Sequence, residues 1–463
     1  MNLEEKLRQL RKAAEKTSAD RDLERQLEWL RRRTASPVGR PLPSQRVPCG
    51  IEHYVEGRVE QNQGGEYFAA RQSLPFGRPY GKLRVGDVSV ADLRSLDLFL
   101  EDNALPDPAD LVYLDTETTG LAGGTGTCAF LIGIGVIEGC DFVVRQFFLR
   151  DYPEEKAILA ALAEQLSRYK GLVTFNGKTF DVPLLETRFT LARQRSPFGR
   201  MVHLDLLHPA RRLWKLRLES CHLTHLEKEV LGISRKGDVP GSEIPGIYFD
   251  YLRTGDARGL QPVFFHNALD IVTLAALTSE LARIIRIEAA LAGSEEIEAL
   301  AAAGDTHSLD LFSLSRIFER AGDSEKSVSV CRRALASGLP LAFEPRALWH
   351  LATQHKRRRE YEQAVEIWHE ITRRESDAFL DALEQLAIHA EHRLRDCGVA
   401  LEFTERALAW IGGDSGRTGR NGTANVRPGP RPDVRRLTHR LDRLRRKLAR
   451  RNASSELSFL EHQ

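Results

Sequence analysis

The chain has 463 residues, 42% hydrophobic and 29% charged, with a formal net charge of +2. That length exceeds one compact core and points to two or three domains, and the composition excludes a disordered chain. No run of about 18 apolar residues occurs, the start MNLEEKLRQLRKAAEK lacks the apolar stretch of a secretory leader, and six scattered cysteines form no CxxC pair; a cytoplasmic protein with reduced thiols and no membrane segment is expected.

In chain order, residues 1–50 are expected as charge-dense helix, with Leu7, Leu10, Leu23, Leu27 and Leu30 at helical intervals, running into a Pro-rich linker. Residues 51–100 carry short alternating segments and Gly-rich turns and read as a small β appendage. Residues 101–290 alternate strand and helix signals and read as one α/β domain. Its first strand, LVYLDTETTG from Leu111 to Gly120, ends by presenting Asp115 and Glu117 two residues apart, hence on one face of an extended chain. Ala129–Ile137 and Phe142–Leu149 are expected as an antiparallel hairpin beside it. The GGTG before that hairpin lacks a following GK[ST] and is read as turn chemistry.

An amphipathic helix is expected over Glu154–Tyr169, then a strand at Leu172–Phe175 that runs into FNGKTFDVPLL, with Asn176 in the turn and Asp181 opening a helix. An Asp there is most often a helix cap; the functional reading makes it a third carboxylate at the same strand ends. MVHLDLLHPARRLW adds a strand and a helix bearing Arg211 and Arg212, with Lys215 just beyond. Cys221, His222 and His225 have no fourth ligand at zinc spacing and are read as decoration on a helix closed by Gly232. The loop SRKGDVPGSEIPG is an insertion that could cover a cleft. In the long helix over Gln261–Ile287, His266 and Asp270 lie four apart on one face of an otherwise apolar run. Burying an unpartnered Asp is costly, which favours a shared site.

Residues 300–412 show three helix pairs at a period near the roughly 34 residues of tetratricopeptide repeats. Leu314, Leu351 and Leu386 mark the first helices, and Ser327, Ala364 and Ala400 the small positions of the second. Such repeats present a surface to a protein partner. Residues 413–433 read as a flexible linker, and 434–463 as a basic helical tail in which Arg435, Arg436 and Arg440 are expected at phosphates.

Four acids on strand ends and helix faces suit hard divalent cations, Mg²⁺ or Mn²⁺. A pair of such ions about 3.5–4 Å apart is a good catalyst of phosphodiester hydrolysis, and a rim histidine can take a proton. LDTETTG, FNGKTFD and HNALD resemble the three motifs of the DEDD exonuclease superfamily within the ribonuclease-H-like fold, and residues 110–287 resemble more narrowly the bacterial YprB-type exonuclease domain. The resemblance implies a mixed central sheet flanked by helices, two metal ions held by Asp115, Glu117, Asp181 and Asp270, and His266 as the fifth catalytic residue. His266 stands four residues before the last acid, the spacing that tyrosine takes in other members. It further implies 3′→5′ cleavage of DNA in repair, alongside a helicase, with Thr118, Asn176, Arg211, Arg212 and Lys215 at the nucleic acid. Two other readings stand beside it: an RNA exonuclease, and a repeat-based scaffold that binds nucleic acid without cleaving it.

Overall fold

In the computed structural model, residues 50–100, 104–120, 126–291, 306–374, 378–413 and 433–460 are described. The stretch expected as N-terminal helix with most of its linker, the Gly-rich turn at 121–125 and the linker at 414–432 lie outside them. The chain forms two compact units. Among the described residues, the first is drawn from 50–94, 104–207 and 222–280, and the second from 95–100, 208–221 and those after 280.

A seven-stranded sheet runs through the first unit. Its strands are β1 (Gly57–Asn62), β2 (Gly65–Pro75), β5 (Leu111–Thr118), β6 (Ala129–Glu138), β7 (Asp141–Phe148), β8 (Gly171–Thr174) and β9 (Val202–Asp205), in the order β1-β2-β7-β6-β5-β8-β9. A separate two-stranded ribbon pairs β3 (Pro79–Tyr80) with β4 (Leu83–Arg84). The sheet is mixed: β6 pairs antiparallel with β5, whereas β5, β8 and β9 are parallel. The β6-β7 hairpin matches the sequence expectation. The 51–100 segment does not stand apart as an appendage. Its β2 pairs with β7 from Phe68 to Pro75, because Tyr67, Phe68, Ala70 and Leu74 bury into the shared core.

Helices flank the sheet as α/β layering requires. They are α1 (Glu155–Leu166), α2 (Asp181–Leu191), the one-turn α4 (Leu223–Leu226), α5 (Ile244–Thr254) and, as far as Glu280, α6 (Gln261–Leu291); α3 (Leu207–Trp214) lies between α2 and α4 in the chain. Alternation along β5 turns Val112 and Leu114 into the core that contains Ile158 and Leu162 of α1. Tyr113 points the other way, onto Phe142, with Asp115 and Glu117 continuing its face. On that face α6 lies unusually close to β6. A Cβ on Gly133 would collide with the Asn267 side chain, and one on Gly135 with Ile271. The two glycines let a polar helix residue reach the end of the neighbouring strand. The helix expected over Leu218–Gly232 is shorter than its pattern suggested: after α4 the backbone widens into a π turn, Glu227–Leu231, capped by left-handed Gly232.

The second unit is helical. Three pairs follow one another, α7 (Ser308–Arg320) with α8 (Ser324–Ala336), α9 (Glu344–Arg357) with α10 (Tyr361–Arg373), and α11 (Phe379–His389) with α12 (Cys397–Gly413), before α13 (Val434–Leu460). Ser327, Ala364 and Ala400, the expected small positions, are each fully buried in a second helix. Two features depart from the sequence reading. Helix α3, with Arg211 and Arg212, belongs to this unit through the salt bridge from Arg217 just beyond it to Asp310, 2.8 Å. Helix α13 is docked by buried Leu437 and Leu444.

Candidate metal centre

The site forms where the parallel strands end. Asp115 and Glu117 share a face of β5, and the register slips between Glu117 and Thr118, a bulge of the kind that re-aims side chains at sheet ends. Asp181 opens α2, beyond β8, and its Oδ1 accepts a 2.5 Å hydrogen bond from the Thr116 hydroxyl. His266 and Asp270 come from α6. Asn267, fully buried between them, donates to Asp115 Oδ2 at 2.9 Å and accepts from Gln146 at 2.9 Å.

Electrostatics show how closely these acids are gathered. Burial, reinforced by Asp270, Glu117 and Asp181, pushes Asp115 well above the usual carboxylate range, against the hydrogen bond from Asn267. Burial drives Glu117 up to about 7, with His266 opposing and Asp270, Asp181 and Asp238 adding to the rise. Burial likewise lifts Asp181 to about 6, although the Thr116 hydroxyl opposes it. Like charges drawn together in a desolvated pocket favour protons or cations.

One cation is built in. Arg235, in the loop expected to cover a cleft, is clasped by Glu227 through Nε at 2.7 Å and Nη2 at 2.5 Å, bonds Asp238 at 3.0 Å, and pairs with Asp270. Gly237, at φ 72°, makes the turn that brings Arg235 and Asp238 to the same place. Among the described residues, no cation pairs with Asp115 or Asp181.

Asp238 also fixes His266. Although burial opposes it, the hydrogen bond and charge of His266, then Arg235, hold Asp238 below the usual carboxylate range. An ionised Asp238 only accepts, so His266 Nδ1, 2.8 Å away, must donate. In the neutral ring that leaves the lone pair on Nε2, which faces Asp270 at 3.5 Å and Glu117 at 3.9 Å.

The donor set fits a hard divalent cation. Glu117, His266 and Asp270 each offer a ligand atom within 4.8 Å of the others, and the carboxylates of Asp115 and Asp181 lie near enough for their charges to act on one another and on this trio. The four acids and the histidine expected from sequence are thus brought together.

The expected nucleic-acid contacts scatter more widely. Thr118 donates to the Gly120 carbonyl at 3.0 Å, and Asn176 sits in a left-handed turn (φ 66°) whose N–H bonds Asp205 at 2.7 Å. Arg211, Arg212 and Lys215 are exposed in the second unit. On α13, Arg440 is buried against Glu391 at 2.9 Å and is not free to meet a phosphate; Arg436 pairs with Glu384 at 2.5 Å but stays exposed, as Arg435 does.

Sequence reasoning missed Thr116, Asn267, Glu227, Arg235, Asp238 and the buried clasp Asp205. Asn267 could have been found, since it is a third polar residue in an apolar helix next to His266. Nothing in the loop's pattern marks Arg235.

Residues 112–282 match the RNase H superfamily, a superfamily of nucleic-acid hydrolases that typically use divalent metals. Over 307 residues the chain is 32% identical to the Bacillus subtilis (strain 168) uncharacterized protein YprB, covering 65% of this chain and 69% of that one. With strand order, carboxylate cluster and both matches in agreement, residues 112–282 are an RNase H superfamily domain and the chain belongs to the family of YprB.

Proposed function

We propose that the protein is a divalent-metal-dependent 3′→5′ exonuclease that hydrolyses DNA in repair. The convergence of Asp115, Glu117, Asp181 and Asp270 in one desolvated cluster carries this reading, because such a cluster is incomplete without cationic charge. Bound there, two Mg²⁺ or Mn²⁺ ions would neutralise the phosphodiester and lower the barrier to attack by water. The chain's own residues do the rest. The four carboxylates would hold the ions, while Asn267 and Thr116 orient Asp115 and Asp181 by hydrogen bonds. Asp238 keeps the His266 ring in the tautomer whose Nε2 can accept a proton from the attacking water. Thr118, at the end of β5, and Asn176, in the turn after β8, are candidates for contacts to the strand end. The helical pairs of the second unit resemble tetratricopeptide repeats and offer a surface for a protein partner such as a helicase.

The test is degradation of 5′-labelled single-stranded DNA and RNA, side by side, with Mg²⁺, Mn²⁺ or chelator. Metal-dependent shortening from the 3′ end, faster on DNA, supports the reading. Preferred loss of RNA moves the substrate, and no metal-dependent cleavage of either leaves a binding scaffold.

A further inference from the structure

The second unit carries two adjoining grooves of about 440 Å³ and 300 Å³ that share Leu216 and Arg316. The smaller is lined by Arg211, Arg212, Lys215, Arg316 and Arg320, and the larger adds Arg346 and Arg357. Against these cations the linings offer one acid, Glu319. It is already committed, to Arg357 at 2.5 Å and to the His350 ring at 3.3 Å.

Among the described residues, no ion pair reaches Arg211, Arg316, Arg320 or Arg346. Desolvation and then the charge of Arg320 push the Arg316 guanidinium below the usual arginine range, with Arg346 adding and Glu319 opposing. On α13, by contrast, Arg436, Arg440, Arg443, Arg445 and Lys447 are answered by Glu384, Glu391 and Glu405. Uncompensated positive charge along a concave surface raises the local concentration of anions. The walls also hold Phe343 and the half-buried Trp349, with Arg346 over the Phe343 ring at 5.7 Å.

We propose that this groove binds a single-stranded polynucleotide, its phosphates on Arg316, Arg320 and Arg346 and a base stacked on Trp349. The choice of a nucleic acid as occupant rests on the nuclease reading above, and it extends that reading to a second binding surface. Aromatic planes set among cations are what unpaired bases require, whereas a duplex keeps its base faces stacked inside. An acidic peptide would match the charge but gives Trp349 nothing to stack on.

The experiment is anisotropy of fluorescent dT20 with the full-length protein in chelator, across a salt series. Arg316→Gln/Arg346→Gln should weaken binding at least tenfold and flatten the slope of log Kd against log salt by about 0.7 for each phosphate no longer neutralised. Trp349→Leu should weaken binding roughly tenfold with the salt slope unchanged. Circular dichroism and thermal melting confirm that each variant folds. Both variants should hydrolyse the p-nitrophenyl ester of thymidine 5′-phosphate in Mn²⁺ at the wild-type rate, since none of the three residues belongs to the carboxylate cluster.

Unchanged affinity and slope in the Arg variant overturn the proposal. So does displacement of dT20 by an equal charge of polyglutamate together with wild-type binding by Trp349→Leu, which would make the groove a peptide site. If the ester is hydrolysed but dT20 is not bound, the groove fails and the nuclease reading stands. If dT20 is bound and the ester is untouched, the nuclease reading fails alone.

Discussion

Two sets of buried acids in this molecule are treated in opposite ways. In the second unit Glu391, its side chain fully buried, receives Arg440 at 2.9 Å, Arg443 at 2.7 Å and Lys447 at 2.8 Å. Burial opposes its charge, but Arg443 and Lys447 outweigh that and hold it at about 2. In the first unit Asp115, Glu117 and Asp181 are buried with other acids, and all three are pushed upward. A buried acid that carries its own cations is a finished structural joint. Acids that face mainly one another are waiting for charge from outside, and that difference separates a site from a strut.

The largest break in that comparison is expected at Asp115. Asp115→Asn should abolish metal-dependent cleavage, a loss beyond the 10²–10⁴-fold (roughly) assigned to a single general base. Its metal-free melting temperature should stay level or rise, because a repelling charge has gone. Mn²⁺ titration followed by calorimetry reads the same loss without turnover. Near-normal cleavage by this variant would remove the acids from the mechanism. His266→Ala comes next, with turnover lowered by roughly 10²–10⁴-fold and Mn²⁺ affinity less affected. Asp238→Asn should reproduce part of that loss, about 10- to 100-fold, by releasing the ring. A deficit under tenfold for His266→Ala would leave the imidazole as a rim contact.

On the other side of the comparison, Glu391→Gln should leave ester hydrolysis untouched and lower stability. It strands Arg440, which is buried, beside Arg443 and Lys447, which are partly solvated, so about 1–3 kcal/mol is expected by urea denaturation. An unchanged midpoint would show that α13 is held by Leu437 and Leu444 alone.

How much of this was legible before the structure differs by element. The acids were legible because i, i+2 on a strand and i, i+4 on a helix are local geometry, and Asp115, Glu117, His266 and Asp270 obey it. The β6-β7 hairpin and the small positions of the helical pairs were legible for the same reason. The roles of β2, Arg235 and α3 were not. Joining β2 to β7, placing Arg235 on Asp270, and assigning α3 to the helical unit all depend on pairings across long stretches of chain. Charge alone misled at α13 for Arg440, which read as a free cation until Glu391 appeared beside it.

The smallest effect is a pH dependence whose sign is unusual. In the metal-free folded protein Glu117 titrates at about 7, against an ordinary value of 4.5, so between those limits the folded state binds more protons than the unfolded one. Stability then falls as pH rises through that window. Asp181, raised to about 6, acts in the same direction. His203, buried and held down at about 4, acts oppositely, because the unfolded chain protonates first below 6.5. Comparing wild type with Glu117→Gln cancels the His203 contribution. The melting temperature of wild type, relative to that variant, should drop by a few degrees from pH 5 to pH 7.5, at about 2–4 °C per kcal/mol. Saturating Mg²⁺ should reverse the trend, since ions bind the folded state through ionised carboxylates and do so better as pH rises. Parallel melting curves for the two proteins at every pH would mean that Glu117 carries no excess proton, and that the acids are less crowded than their geometry implies.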